Sequence, residues 1–134
     1  MLLDQAARRS RGGWEVLPGL GVRLSDVSVP VPDVLIRPDR PIEGAECDDM
    51  IVAFEVLSPW SVKRDLRWKR TAYTSLPSLT HYIVVAQDAV DVVVFAREAA
   101  FAEQRYRALS DTIKLPALGI ALPLSEIYRD TGLE

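Results

Sequence analysis

The segment Met50-Ile-Val-Ala-Phe-Glu-Val-Leu57 constrains the fold of this chain most. A short run that is apolar on both alternating faces reads as a strand covered from both sides, which requires a sheet with a layer packed on each face. Only Glu55 interrupts the run. By alternation it falls on the face shared by Ile51, Ala53 and Leu57, where an unpaired carboxylate is costly to bury. That glutamate must be paired, protonated or bound to a cation.

The flanking sequence supplies what such a strand needs. Ser58-Pro59 ends it, and the helix expected next, from about Val62 to Leu76, is stopped by Pro77. Two further strands, Tyr82 to Ala86 and Val90 to Ala96, follow across a short turn at Gln87-Asp88. Upstream, Val27 to Ile36 is strand-like, with Pro30 and Pro32 marking an edge or a frayed start. Residues 37–49, Pro-rich and then acidic, read as a loop. Trp14 to Pro18 and Gly21 to Leu24 read as a hairpin-like pair around Pro18-Gly19, and residues 2–9 as the last turns of a helix. Arg97 to Leu109 suits either a helix or a strand after a loop. Ile113 and Leu115, then Leu118 to Leu122, are short strand candidates, and Ser125 is placed to cap a last short helix through Tyr128. Strands on either side of one well-formed helix give a mixed α/β (α+β) fold, one domain over residues 1–134.

Charge narrows the partners. Sixteen Lys and Arg against nineteen Asp and Glu leave a net charge of −3, so nucleic acid could be met only through a local patch. Two basic clusters qualify: Arg8, Arg9 and Arg11, and Lys63, Arg64, Arg67, Lys69 and Arg70. The single Cys47 cannot form an internal disulfide, which favours a reducing compartment. It lies among Glu43, Glu46, Asp48 and Asp49, which should raise its thiol pKa and so argue against a catalytic thiolate. No stretch approaches the roughly twenty apolar residues of a membrane span, and the N-terminus does not look like a signal peptide. A cytoplasmic protein with no membrane partner is the expectation.

The expected helix adds more charge to the interior. At about 100° per residue from Asp65, Leu76, Tyr73, Leu66, Trp68 and Ala72 fall on an apolar stripe, and Arg67, Arg70, Thr71, Thr74 and Ser75 lie opposite. Asp65 at the origin and Lys69 at roughly 40° both sit within that stripe, one turn apart. Asp33, in Val31-Pro-Asp-Val-Leu-Ile36, is a third candidate on a neighbouring strand, preferred to the turn-like Asp39. Two carboxylates at one sheet edge can hold Mg²⁺ through hard oxygen ligands, with a lysine assisting at a phosphate. The structural alternative is a buried Glu55–Lys69 salt bridge, with Asp65 and Asp33 in local roles. His81, alone before an apolar strand, reads as structural.

Val31-Pro-Asp-Val-Leu, Ala53-Phe-Glu-Val-Leu-Ser-Pro, Lys63-Arg-Asp-Leu-Arg-Trp-Lys-Arg-Thr-Ala-Tyr73, His81-Tyr-Ile-Val-Val and the closing Leu115-Pro-Ala-Leu-Gly-Ile-Ala-Leu-Pro-Leu-Ser-Glu-Ile-Tyr128 occur in one order. Together, over about residues 15–130, they resemble the "putative restriction endonuclease" family of bacterial proteins within the PD-(D/E)xK nuclease superfamily. The resemblance implies a restriction-endonuclease-like core, a mixed sheet flanked by helices. It implies a Mg-dependent (or Mn-dependent) DNA endonuclease, with Asp33 and Glu55 as metal ligands and the Val56 carbonyl completing the site. Leu57 stands where the superfamily lysine would be. The family often carries that lysine on the following helix, where Lys69 matches it and Asp65 matches the helix aspartate. Trp60 and Ala86 depart from the family pattern. Relatives also carry a longer N-terminal region with a helix on the sheet, of which residues 1–9 could hold only the last turns. The implied alternatives are a working nuclease that meets DNA through backbone phosphates, or a degenerate nuclease fold serving as a nucleic-acid-binding or protein-interaction module. A homodimer is expected if a second copy covers the apolar sheet.

Overall fold

A computed structural model describes residues 9–11, 13–25, 28–42, 44, 46–58 and 63–133, and of residues 9–11 and 63–65 only the backbone. In chain order the strands and helices are β1 (Arg9–Arg11), β2 (Trp14–Pro18), β3 (Gly21–Val22), β4 (Val34–Pro38), β5 (Glu46–Cys47), β6 (Val52–Leu57), α1 (Lys63–Thr74), β7 (His81–Ala86), β8 (Val92–Ala96), β9 (Glu103–Tyr106), β10 (Thr112–Leu115), β11 (Ile120–Pro123) and α2 (Leu124–Ile127).

Seven strands form one mixed sheet in the order β1-β2-β4-β6-β7-β8-β9. All neighbours are antiparallel except β6 and β7, which run parallel with Val52 opposite His81 and Leu57 opposite Ala86. A parallel step needs a crossover, and α1 provides it. The apolar run identified in the sequence is thus β6, paired on both sides near the middle of the sheet.

Alternation divides the core into two layers. Val34, Ile36, Val52, Phe54, Ile83, Val85, Val92 and Val94 point to one face, covered by Ile113, Leu115, Leu118, Leu124, Ile127 and Tyr128 of the C-terminal β10–β11 hairpin and α2. Leu17, Leu35, Ala53, Tyr82, Val84 and Phe95 point to the other, where Tyr73 and Leu76 arrive with α1 and its following turn and Val22 and Cys47 with the small parallel β3–β5 pair. Tyr128 locks the first layer to the sheet: its hydroxyl donates to the Ala86 carbonyl at 2.9 Å and accepts from the Asp91 N–H at 3.1 Å.

Several expectations are corrected. Trp14–Pro18 does not turn back on Gly21–Leu24; it pairs with β1 and β4, while Gly21–Val22 pairs with Glu46–Cys47 inside the expected loop. Arg9 belongs to β1 rather than to the end of a helix, and residues 1–8 lie outside the described residues. The strand before β6 begins only at Val34, after both prolines. The ambiguous stretch is a 3-10 turn, Arg97–Ala99, followed by strand β9. Ala100 and Phe101 take left-handed φ of 54° and 58° between them, a conformation that costs non-glycine residues energy and ends the turn. α2 starts behind Pro123, with no side-chain cap from Ser125. On α1, Trp68 is 53% exposed rather than part of the buried stripe; Tyr73 and, just past the helix, Leu76 are buried, and Leu66, Lys69 and Ala72 are half-buried. No helix among the described residues is long and apolar enough to cross a membrane. Their exposed large hydrophobic residues are Val31 and Trp68.

Candidate functional site

The site grows from the pairing of β4 with β6. Val34 faces Phe54 across the antiparallel ladder, so Asp33, the residue before β4, arrives beside Glu55. The Val56 N–H donates to Asp33 Oδ2 at 2.7 Å. The β4–β6 ladder ends at the Val34–Phe54 pair, and beyond it the Asp33 carboxylate, not a backbone oxygen of the partner strand, takes the Val56 N–H. Pro32, just before Asp33, has no N–H with which to prolong the ladder.

Helix α1 closes the site from above the sheet. Lys69 and Tyr73 are four residues apart and share a face. Lys69 Nζ lies 3.3 Å from Glu55 Oε1, and the Tyr73 hydroxyl donates to the same oxygen, also at 3.3 Å. Glu55 is 4% exposed. Burial is the largest influence on its carboxyl; the Lys69 charge opposes it, and the nearby Asp33 carboxylate works with it through charge and hydrogen bonding. The result is a pKa raised from an ordinary 4.5 to about 7. Burial, and then the Glu55 charge, push the Tyr73 hydroxyl upward as well, so it remains a donor at neutral pH. Behind the glutamate, Tyr73 meets Tyr82 edge-on at 5.5 Å, and Tyr82 stacks on Phe95 at 5.9 Å, an apolar backing that keeps water from that side.

Of the candidates read from the sequence, Asp33, Glu55, Val56 and Lys69 come together. Asp65 stands one turn before Lys69 in α1, with its side chain outside the described residues. The same holds for the side chains of Lys63 and Arg64; Arg67 and Arg70 are exposed. Among the described residues, no group of three or more His, Cys, Asp and Glu side chains could hold a metal ion. Chemically, the arrangement offers two adjacent carboxylates, the buried one held well above the ordinary carboxylate range, and an ammonium.

A second polar cluster on the same face is absent from the sequence reading. Glu15 faces Arg37 across β2 and β4, and both are buried. Arg37 Nη1 donates to Glu15 Oε1 at 2.8 Å and to the Arg40 carbonyl at 2.8 Å, while Nε and Nη2 form a fork on Asp49 at 2.9 Å each. Arg40 adds Nε and Nη2 to the same Asp49 carboxylate. Burial pushes Asp49 upward, but the hydrogen bonds from Arg37 and Arg40 outweigh it and hold the carboxyl below the ordinary range. Such mutual saturation marks an interior brace rather than a binding site. The available signal was parity: Glu15 shares its strand face with the core residue Leu17. Beside this brace Cys47 is a buried free thiol, raised by burial and then by Asp49 to about 11, in line with its acidic sequence setting. His81 is also buried, its Nδ1 2.9 Å from Thr80 Oγ1, and burial lowers its pKa.

No curated protein gives a significant sequence match. A solved structure from Anabaena variabilis, described as "a putative nuclease belonging to DUF820", superposes with a TM-score of 0.68 at 12% identity, covering 87% of this chain and 68% of that one. At that identity the likeness establishes the shared fold. The profile of the Uma2 family, described as "Putative restriction endonuclease", matches residues 1–125. This chain, built on a nuclease-like mixed sheet, belongs to the Uma2 family.

Proposed function

We propose that the Asp33–Glu55–Lys69 cluster is a PD-(D/E)xK-type site for Mg²⁺- or Mn²⁺-dependent phosphodiester hydrolysis, with DNA as the substrate. The observation that carries this reading is the convergence of three charged groups, from the lead-in to β4, from β6 and from α1, on one partly buried point. The donor set fits a hard divalent cation: the Asp33 carboxylate opposes ionisation of Glu55, which a cation shared by the two would relieve, and the Val56 carbonyl would supply a neutral oxygen. When bound, such an ion would activate a water and stabilise charge on the phosphate. Asp33 is held in orientation by the Val56 N–H. Glu55 can hold or release a proton near neutral pH, and Lys69 is placed to stabilise charge developing on a phosphate oxygen. Exposed Arg67 and Arg70 supply backbone-phosphate contacts of the kind that position a strand without reading its sequence.

A second reading is a nuclease fold that has lost hydrolysis and binds nucleic acid or protein. It is favoured by the absence, among the described residues, of three or more His, Cys, Asp or Glu grouped to hold a metal ion, and by Leu57 at the usual lysine position. Purified wild type and Glu55→Gln should be incubated with single- and double-stranded DNA in Mg²⁺, Mn²⁺ and EDTA. The hydrolytic reading expects metal-dependent cleavage by wild type and its loss in E55Q. Equal products with and without metal would overturn the metal-dependent site, and no product from a folded wild type on any substrate would transfer the assignment to the binding module.

A further inference from the structure

Beside α1, the sheet face carries a cleft of about 200 Å³ whose floor is Leu57, Val84, Val93 and Phe95. Its rim holds Arg67, Arg70 and Arg105 against the single carboxylate of Glu103. Arg70 lies over the Phe95 ring at 4.8 Å, which presents the planar guanidinium as a continuation of the aromatic floor. Arg105 is steadied by Asp91 at 2.7 Å. The cleft is therefore apolar at its base and cationic at its mouth, the reverse of an ordinary gap in packing.

Tyr82 lines the same cleft and is 1% exposed, yet among the described residues its hydroxyl has no hydrogen-bond partner. A buried unsatisfied hydroxyl destabilises a fold and is uncommon. A ligand with polar edges would satisfy it. Leu57 lies two residues beyond Glu55 on the same strand face, a step of roughly 7 Å. That is about one nucleotide from a phosphate at the carboxylates.

We propose that this cleft seats one unstacked nucleobase of a strand whose phosphate lies at Asp33, Glu55 and Lys69, making the substrate single-stranded or locally unpaired nucleic acid. The proposal rests on the phosphodiester reading above. A planar base matches the features together: an apolar floor, a guanidinium platform for stacking, a hydroxyl for an edge heteroatom, and arginines for the flanking phosphates.

The test is equilibrium binding in EDTA, which keeps it separate from hydrolysis. Fluorescence anisotropy would compare a labelled ten-nucleotide thymidine strand with an all-abasic strand of the same length and charge. Wild type should prefer the base-bearing strand by roughly tenfold or more, the size of one good stacking contact. Val93→Trp, which places an indole in the cleft, should erase that preference and leave abasic binding unchanged. Tyr82→Phe should raise the melting temperature, since it deletes an unsatisfied hydroxyl, and still lower affinity for the thymidine strand severalfold. Those opposite signs keep the proposal testable if V93W does not fold. Equal affinities for the two strands would overturn it, as would a Y82F protein that is more stable and binds thymidine undiminished. Concentration-dependent self-association abolished by V93W, with no strand preference, would assign the cleft to a second copy instead. Base preference in an Asp33→Asn protein that cleaves nothing would uphold the cleft, and metal-dependent cleavage without base preference would retire the cleft alone.

Discussion

Replacing Lys69 with methionine should destabilise the protein in a way that depends on pH. Lys69 Nζ stands 3.3 Å from Glu55 Oε1, a distance worth about 5 kcal/mol between full charges at an effective dielectric constant of about 20. The lysine side chain is 29% exposed, so solvent screens part of that attraction. A loss of about 3 kcal/mol is expected at pH 8.5 or so, where Glu55 is ionised and would be left buried without its cation. Near pH 5.5 Glu55 is already protonated in the wild type, because its pKa is about 7. There the substitution removes little more than a hydrogen bond, about 1 kcal/mol. The direction follows from proton linkage. Glu55 binds its proton more tightly folded than unfolded, so its contribution is complete below pH 4.5 and is lost as pH rises through about 7. Without Lys69 that pKa rises further, and the variant keeps losing stability after the wild type has levelled off. Urea unfolding at three pH values should show the gap between the two proteins widening by about 2 kcal/mol. A gap that does not change with pH would refute the coupling of Lys69 to Glu55. Under conditions where both proteins are folded, cleavage by the variant should fall roughly 10²-fold or more. Equal rates would remove Lys69 from the mechanism and leave it a structural partner.

Asp33→Asn should lower the Glu55 pKa by removing the carboxylate that raises it, so the metal-free variant gains about 1 kcal/mol at pH 8 while the rise in melting temperature on adding Mg²⁺ disappears; calorimetry with and without Mg²⁺ measures both. Arg37→Met leaves Glu15 and Asp49 without their shared cation and should cost about 3–5 kcal/mol in urea unfolding. A loss under 1 kcal/mol would contradict the bracing role. Cys47, buried and with its thiol pushed to about 11, should react with iodoacetamide far more slowly in the native protein than in urea; equal rates by mass spectrometry would contradict that burial.

Legibility varied with the reach of the interaction. β6 and α1 could be read because their signals are local: an apolar run interrupted by Glu55, and a helical period stopped by Pro77. Lys69 could be placed inward from that period alone. Trp68 could not, because large apolar residues near a stripe's edge are exposed or buried according to what the neighbouring layer covers. The pairing of β2 with β4 depends on a partner twenty residues away in sequence, and the turn at Pro18-Gly19 suggested a closer one. Arg37 fell in a stretch read as loop, so its cross-strand meeting with Glu15 carried no local signal. β9 was ambiguous because two non-glycine residues, Ala100 and Phe101, adopt left-handed conformations that propensities disfavour.

The most direct test of the candidate site is a crystal structure of the protein grown with Mn²⁺, with the ion located by its anomalous scattering. Hydrolysis at this site predicts one ion bound to carboxylate oxygens of both Asp33 and Glu55 and to the Val56 carbonyl, with Lys69 turned toward the space a phosphate would fill. Full-length protein with no ion there at saturating Mn²⁺, and Glu55 still paired to Lys69 and Tyr73, would contradict it.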